Sequence, residues 1–411
     1  MNKRILTGVL IALVSSGAIV RAQSAETSKA APTLAIEPTT IRDISPDLAA
    51  IIQKHSLPAM AAVTVEHGKI VAQGVAGVRK MGSDEKATLN DLWHLGSCTK
   101  SMTATMCAIL VEKGTLRWDS TLAEVFPDIA PKMNDEFKKV TLQQLLTNRG
   151  GVPSDLSFDG LWGTLWNFQS TPVEARRLLM EKVTARPPDY PPGTKNVYAN
   201  ASFAIAGHMA ETAAGKPYEQ LMQELLYAPL GMMSCGWGSP GAHLEKGAID
   251  QPWGHGKDGH PIDPHPAKDG SGPDNPPAIS PAGRLHCTIG DWAKYISMHE
   301  LGDKLNPSRE CKLLRSETFD RLHTPPDAIS DYAYGWGRPE RPWAGPPGER
   351  FVLTHNGSNN QWFCVAWIAP RKDFAVLVCC NSAADGPEGK GAAKACDEAC
   401  WSMIQQELGR K

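Results

Sequence analysis

Hydrophobic and polar positions repeat with two different periods along this chain, and the two are segregated. Near the start, Ala59-Met60-Ala61-Ala62-Val63-Thr64-Val65 and Ile70-Val71-Ala72-Gln73-Gly74-Val75 flank His67-Gly68, which predicts a β-hairpin. Near the end, Phe351–Thr354, Phe363–Ile368 and Phe374–Cys379 predict consecutive strands. Helical spacing appears over Ile44–His55, opened by Ser45-Pro46-Asp47, and over Asp291–Leu301 and Ala392–Leu408. Between the two strand regions the helical period dominates. Thr121–Phe126, Thr141–Leu146, Pro172–Val183, Phe203–Ala214 and Tyr218–Leu226 carry it, separated by Pro- and Gly-rich turns. From Gly236 to Ser280 both periods dissolve into Gly, Pro, His and Asp, as in a lid or a long surface segment.

Strands at both ends with helices between them predict an α/β (α+β) fold. An antiparallel sheet is assembled from the two termini, residues 44–118 and 282–411, and is flanked by helices. A mostly helical insertion spans 119–281 and includes a long loop at 241–280. The chain's 411 residues suffice for one large or two closely joined domains.

The first residues follow another logic. Lys3 and Arg4 precede an apolar stretch, Ile5–Val14, and then small residues at Ser15-Ser16-Gly17-Ala18. That is the pattern of a secretory leader, residues 1–22, followed by a flexible spacer at 23–43. The protein is therefore expected to be exported, periplasmic or secreted, with no stable membrane span once the leader is removed.

Charge is balanced, with 42 Lys and Arg against 44 Asp and Glu. No basic stripe carries interleaved aromatics, so a nucleic-acid partner is not expected. All ten cysteines lie at Cys98 and beyond. Their spacing matches neither a small disulfide framework nor a zinc site, and buried free thiols are expected. No metal and no cofactor is expected.

Chemistry concentrates at Leu95-Gly96-Ser97-Cys98-Thr99-Lys100-Ser101-Met102. Cap-type residues open an apolar run that Gly114 stops, so Ser97 and Lys100 lie one helical turn apart on one face. A hydroxyl beside an amine at a helix N-terminus suits a lysine-activated serine nucleophile. A second Ser-x-x-Lys, Ser83–Lys86, lies in a charged stretch and reads as surface loop. Tyr198-Ala199-Asn200 is placed on a loop ahead of a helix beginning near Ser202. A tyrosine shuttles a proton where neighbouring cations lower its pKa, and an asparagine can hold both a lysine and a substrate amide. His355-Asn356-Gly357 is placed after the Phe351–Thr354 strand. Other [His/Lys]-x-Gly matches, such as Lys80–Gly82 and His94–Gly96, precede the serine or lie in the long loop.

Together, Ser97–Lys100, Tyr198–Asn200 and His355–Gly357 resemble the three motifs of the serine β-lactamase and penicillin-binding protein superfamily, in its class C β-lactamase-like branch. Val140–Asn148, Pro192-Gly193-Thr194, Ser280-Pro281-Ala282-Gly283 and Tyr334-Gly335-Trp336-Gly337 support the resemblance, which covers roughly residues 44–408. It implies a β-lactamase/transpeptidase-like fold and an acyl-enzyme on Ser97. Lys100 and Tyr198 would move the proton, and Asn200 would position Lys100 and the substrate. The Ser97 and Ser358 N–H groups would form an oxyanion hole, and His355 and Gly357 would contact substrate. The implied substrates are a small ester, a D-amino-acid peptide or a β-lactam. A weak β-lactamase and a penicillin sensor without turnover are the alternatives.

Two departures stand out. His355 occupies the place where efficient β-lactamases of this branch carry lysine, and an imidazole pulls less on a substrate carboxylate at pH 7 than an ammonium. Asn148-Arg149-Gly150-Gly151 stands where relatives often show His-Thr-Ser-Gly. Gly-x-Ser-x-Gly is absent, so this is not the nucleophile elbow of α/β-hydrolases. The histidines His243, His255, His260 and His265 match no metal-ligand spacing and read as part of a solvated loop.

Overall fold

A turn with two left-handed residues, His67 (φ 51°) and Gly68 (φ 73°), joins the first long strands, Ala59–Glu66 and Lys69–Gly77. Such a backbone matches the right-handed twist of an antiparallel pair, and the hairpin forms where the alternation predicts it. The computed structural model describes residues 40–266, 273–302, 313–386 and 390–409. The proposed leader and most of the proposed spacer lie outside the described residues.

The hairpin joins C-terminal strands in one eight-stranded sheet. In spatial order the strands are Arg42–Asp43, Lys69–Gly77, Ala59–Glu66, Phe374–Cys380, Phe363–Ala369, Leu353–Ser358, Trp336–Gly337 and Tyr332–Ala333. All neighbours are antiparallel except Arg42–Asp43, which runs parallel to Lys69–Gly77. The fold is thus mixed α/β around a mostly antiparallel sheet built from both ends of the chain.

Alternation along the central strands serves two cores. Met60, Ala62, Val376, Val378 and Cys380 point to one face, where they meet Leu48 and Ile52 of the Ser45–His55 helix and Cys396 and Met403 of the Ala392–Leu408 helix. Ala61, Val63, Leu377 and Cys379 point to the other face, toward Met102, Met106, Trp292 and Ile296. With both faces covered, the central strands read as nearly continuous apolar runs. Each buried aliphatic side chain contributes about 1.5–3 kcal/mol by leaving water. Cys379 and Cys380 fall on opposite faces, and the nine cysteines among the described residues are free thiols.

The middle of the chain forms helices at Leu122–Val125, Leu142–Leu146, Pro172–Thr184 and Asn200–Ala214. Thr121, Thr141 and Thr171 each close a capping box with Glu124, Gln144 and Glu174. Arg176, fully buried, joins Pro172–Thr184 to the following helices through Glu211 (2.7 Å) and Glu219 (2.8 Å).

The sequence does not predict several short elements, a second sheet among them. Leu92–His94, Leu285–Thr288 and Gly236–Trp237 form a small antiparallel sheet of their own. Two to four residues are too few to show a period, so only tertiary pairing reveals them. Within the region read as loop, Gly254–His255 and Pro261–Ile262 also pair. Among the described residues, no helix is long and apolar enough to cross a membrane.

Candidate active site

The chain enters the Thr99–Glu112 helix through a single tight turn, Gly96–Cys98. Gly96 is left-handed (φ 47°), and the Thr99 hydroxyl donates to its carbonyl at 2.7 Å. This turn holds Ser97 partly exposed while its neighbours on both sides are buried.

The turn rests on the strand Leu353–Ser358 with almost no room between backbones. A methyl group on Gly357 would lie 1.9 Å from the Leu95 carbonyl oxygen, and one on Gly96 would lie 2.4 Å from the Ser358 nitrogen. Only glycine permits that approach, which places the backbones of Ser97 and Ser358 side by side. The strand itself extends further than the apolar pattern predicts. His355, Asn356 and Gly357 do not follow it but lie inside it, paired with Ala366, Val365 and Cys364. Backbone pairing continues where hydrophobic alternation has already stopped.

Lys100 is fully buried. Its Nζ lies 3.1 Å from Ser97 Oγ, 2.7 Å from Asn200 Oδ1 and 2.7 Å from the Ala282 carbonyl oxygen. Burial pushes its pKa well below the ordinary lysine value. The asparagine and carbonyl oxygens can only accept, so a neutral Lys100 directs two N–H bonds to them and its lone pair toward the Ser97 hydroxyl. Asn200 is the first residue of its helix, which begins two positions earlier than the sequence suggests.

Tyr198 lies over this group, with Lys100 Nζ 4.6 Å from its ring centroid. The residue is 43 % exposed, yet its phenol is largely desolvated and feels the Ser97 side chain. Desolvation there raises the phenol pKa, against an opposing effect of the Ser97 side chain. The condition of a pKa lowered by neighbouring cations is not met, and the nearby Lys100 amine is itself driven toward neutrality by burial. Tyr198 is therefore a phenol that can donate or relay a proton rather than a resident phenolate.

His355 Nδ1 is 2.6 Å from the Asn356 carbonyl, so that nitrogen carries the proton. Its Nε2 lies 3.3 Å from the Tyr332 hydroxyl. Tyr332, His355 and Tyr198 form one aromatic cluster with ring centroids 5.9–6.3 Å apart. Tyr332 was not singled out by the sequence. It stands two residues before the Tyr334–Gly337 stretch with no motif of its own.

Asn148, in the departure from the family pattern, has a structural task. It is left-handed (φ 54°) and completely buried. Its side-chain oxygen accepts from Ala199 N at 3.2 Å and its carbonyl from Val197 N at 2.9 Å, holding Tyr198 from both sides. The Ser83–Lys86 copy lies on an exposed turn, as expected. His255 uses both ring nitrogens on backbone, at Asn381 O and Met81 N.

The structure thus brings Ser97, Lys100, Tyr198, Asn200, His355, Gly357 and Ser358 together around one point. Residues 42–400 match the family model described as Beta-lactamase. The chain is 24 % identical to penicillin-binding protein 4 of Amycolatopsis lactamdurans, over 81 % of this chain and 83 % of that protein. It is 22 % identical to an unguisins hydrolase of Aspergillus campestris, over 80 % of this chain but only 60 % of the fungal protein. The structure of the D-alanine carboxypeptidase AmpC from Burkholderia cenocepacia superposes with a TM-score of 0.66 at 18 % identity, covering 88 % of this chain and 97 % of the other.

Proposed function

We propose that this chain, which belongs to the Beta-lactamase family, is an exported hydrolase that cleaves an ester or a D-amino-acid amide through an acyl-enzyme on Ser97. One observation carries the reading: Lys100 Nζ is buried between two obligatory acceptors and Ser97 Oγ.

In this mechanism Ser97 Oγ attacks the substrate carbonyl carbon while its proton passes to Lys100 Nζ. The carbonyl oxygen becomes an oxyanion and receives the N–H groups of Ser97 and Ser358. Such a donor typically supplies about 3–4 kcal/mol. Collapse of the intermediate breaks the C–O or C–N bond, and the proton on Lys100 reaches the leaving group through the Tyr198 hydroxyl. Water then attacks the acyl carbonyl, giving its proton back along the same route, and the acid departs from a regenerated Ser97. Asn200 keeps Lys100 aimed throughout. His355 and Gly357 border the place where the substrate acyl group lies.

The names of the relatives favour peptide-like substrates, and His355 in place of lysine argues against efficient β-lactam turnover. Steady-state hydrolysis of a short-chain nitrophenyl ester and of a chromogenic cephalosporin, with Ser97→Ala as the blank, tests the reading. Ester turnover that vanishes in the variant is expected, with little cephalosporin cleavage. Equal rates in both proteins would refute the assignment.

A further inference from the structure

The two N–H groups proposed to receive the oxyanion belong to segments about 260 positions apart in sequence, and no covalent link sets their spacing. Behind them lies a buried carboxylate that the mechanism does not use. Asp274 is 7 % exposed and comes from the long segment before Ser280. Its two oxygens face in two directions.

Asp274 Oδ2 lies 3.0 Å from His94 Nε2, and His94 Nδ1 lies 3.1 Å from the Gly96 nitrogen. A backbone N–H can only donate, so Nδ1 holds the lone pair and Nε2 carries the proton given to Asp274. This arm ends on the residue immediately before Ser97. Asp274 Oδ1 accepts from Asn359 Nδ2 at 3.0 Å, and Asn359 is the residue immediately after Ser358. The carboxylate also accepts from Asn275 N at 2.8 Å and faces Arg284 Nε at 3.6 Å. Asn275 in turn donates from Nδ2 to the Gly283 carbonyl at 3.0 Å, beside the same turn. Burial alone would raise the Asp274 pKa, but His94, Arg284 and Asn359 together keep it below its ordinary value. The group is a charged hub with one side-chain bond directed toward each half of the site.

We propose that Asp274 is a positioning residue that sets the separation and direction of the Ser97 and Ser358 N–H groups, through His94 on one side and Asn359 on the other. The proposal rests on the oxyanion-hole reading above. It gives the long segment a catalytic purpose other than covering the cleft: it delivers the clamp that joins the serine turn to the sheet. A hydrogen bond to a developing oxyanion weakens steeply as its donor swings away, whereas ground-state binding depends little on it.

Asp274→Asn tests this without changing side-chain size. One carboxylate oxygen becomes an NH2 group that must face either His94 Nε2–H or the donors Asn359 and Asn275, so one arm breaks. Asn359→Ala removes the sheet-side arm, along with the bond that Asn359 Oδ1 accepts from Gln361 N at 3.2 Å, while leaving His94 in place. It is read alongside, deciding the matter if Asp274→Asn does not fold. Each variant is assayed for ester hydrolysis and for affinity toward phenylboronic acid, which forms a tetrahedral adduct on a nucleophilic serine. The expected result is a kcat lower by roughly 10- to 100-fold with KM little changed. Boronate affinity should fall by a similar factor. A folded variant with wild-type kcat, or one whose kcat falls while boronate affinity is kept, overturns the proposal. Turnover that survives Ser97→Ala overturns instead the Ser97 reading beneath it, and the two failures are told apart by that control.

Discussion

Lys100 Nζ and Asn200 Oδ1 are 2.7 Å apart, although 100 positions separate them in the chain. The contact joins the first turn of the Thr99–Glu112 helix to the first residue of the Asn200–Ala214 helix. With the Ala282 carbonyl it occupies two of the three hydrogen-bonding directions of the amine and leaves the third for Ser97.

The pH dependence of hydrolysis should follow from that burial. A lysine pKa pushed below its ordinary 10.5 means that the neutral base is already present at lower pH. The log of kcat/KM for ester hydrolysis should rise with pH along a limb centred well below 10.5. Lys100→Ala should remove the limb and lower kcat by about 10²–10⁴-fold. A limb that persists unchanged in the variant would assign the base elsewhere.

Cys98 stands next to Ser97 and invites confusion with it. Its Sγ lies beneath the turn, 3.4 Å from the His355 carbonyl and 3.6 Å from Cys364 Sγ, and the residue is 1 % exposed. Cys98→Ala should therefore retain most of the turnover, at a stability cost of about 1 kcal/mol. Loss of covalent labelling by a serine-directed phosphonate in this variant, but not in Ser97→Ala, would reverse the assignment.

Asn148 offers a separation of backbone from side chain. Asn148→Gly keeps the left-handed conformation and deletes the side chain's bond to Ala199 N and its contact with Tyr332. The expected outcome is a lower kcat through a looser Tyr198, with a loss of stability of about 1 kcal/mol. Asn148→Ala adds backbone strain and should melt at a lower temperature than the glycine variant. Equal melting and equal kcat in both would remove this role.

Gly357→Ala should be the most damaging conservative change on the sheet side. The added methyl would have to occupy space 1.9 Å from the Leu95 carbonyl, so the turn and strand must part. Activity should fall to the level of Ser97→Ala, and a folded variant with substantial turnover would show that the close approach is not needed.

Acid should destabilise the fold through its buried histidines. Burial depresses His286 to about 4 and His323 to about 3, against an ordinary 6.5. Between those values and 6.5 the unfolded chain binds protons that the folded chain refuses, so stability is full above pH 6.5 and declines as pH falls. His286 alone corresponds to about 3 kcal/mol by pH 4. Urea titrations at pH 7 and pH 4.5 should show the loss, and His286→Asn should flatten it.

Much of the architecture was legible because it is local. The hairpin at His67-Gly68, the helix from Pro172 and the strand Phe374–Cys380 declare themselves through periods that depend only on nearby residues. The same locality makes Ser97 and Lys100 neighbours, since three positions on a helix define one face. The strand through His355 outruns its apolar pattern because its last residues are polar and are kept extended by pairing with Phe363–Ala369.

By itself, the sequence determined the order of the long strands and helices and the pairing of a hydroxyl with an amine on one turn. Only the tertiary structure decided what surrounds that pair: Asn200 and Ala282 about the amine, Tyr332 beside His355, Asn148 behind Tyr198, and Asp274 between His94 and Asn359. The tyrosine pKa also depended on it, since desolvation is a property of packing. The physical reason is the same in each case. Period and propensity act over a few residues, whereas the direction of a lone pair or the spacing of two N–H groups is set by partners that the chain brings together only when folded.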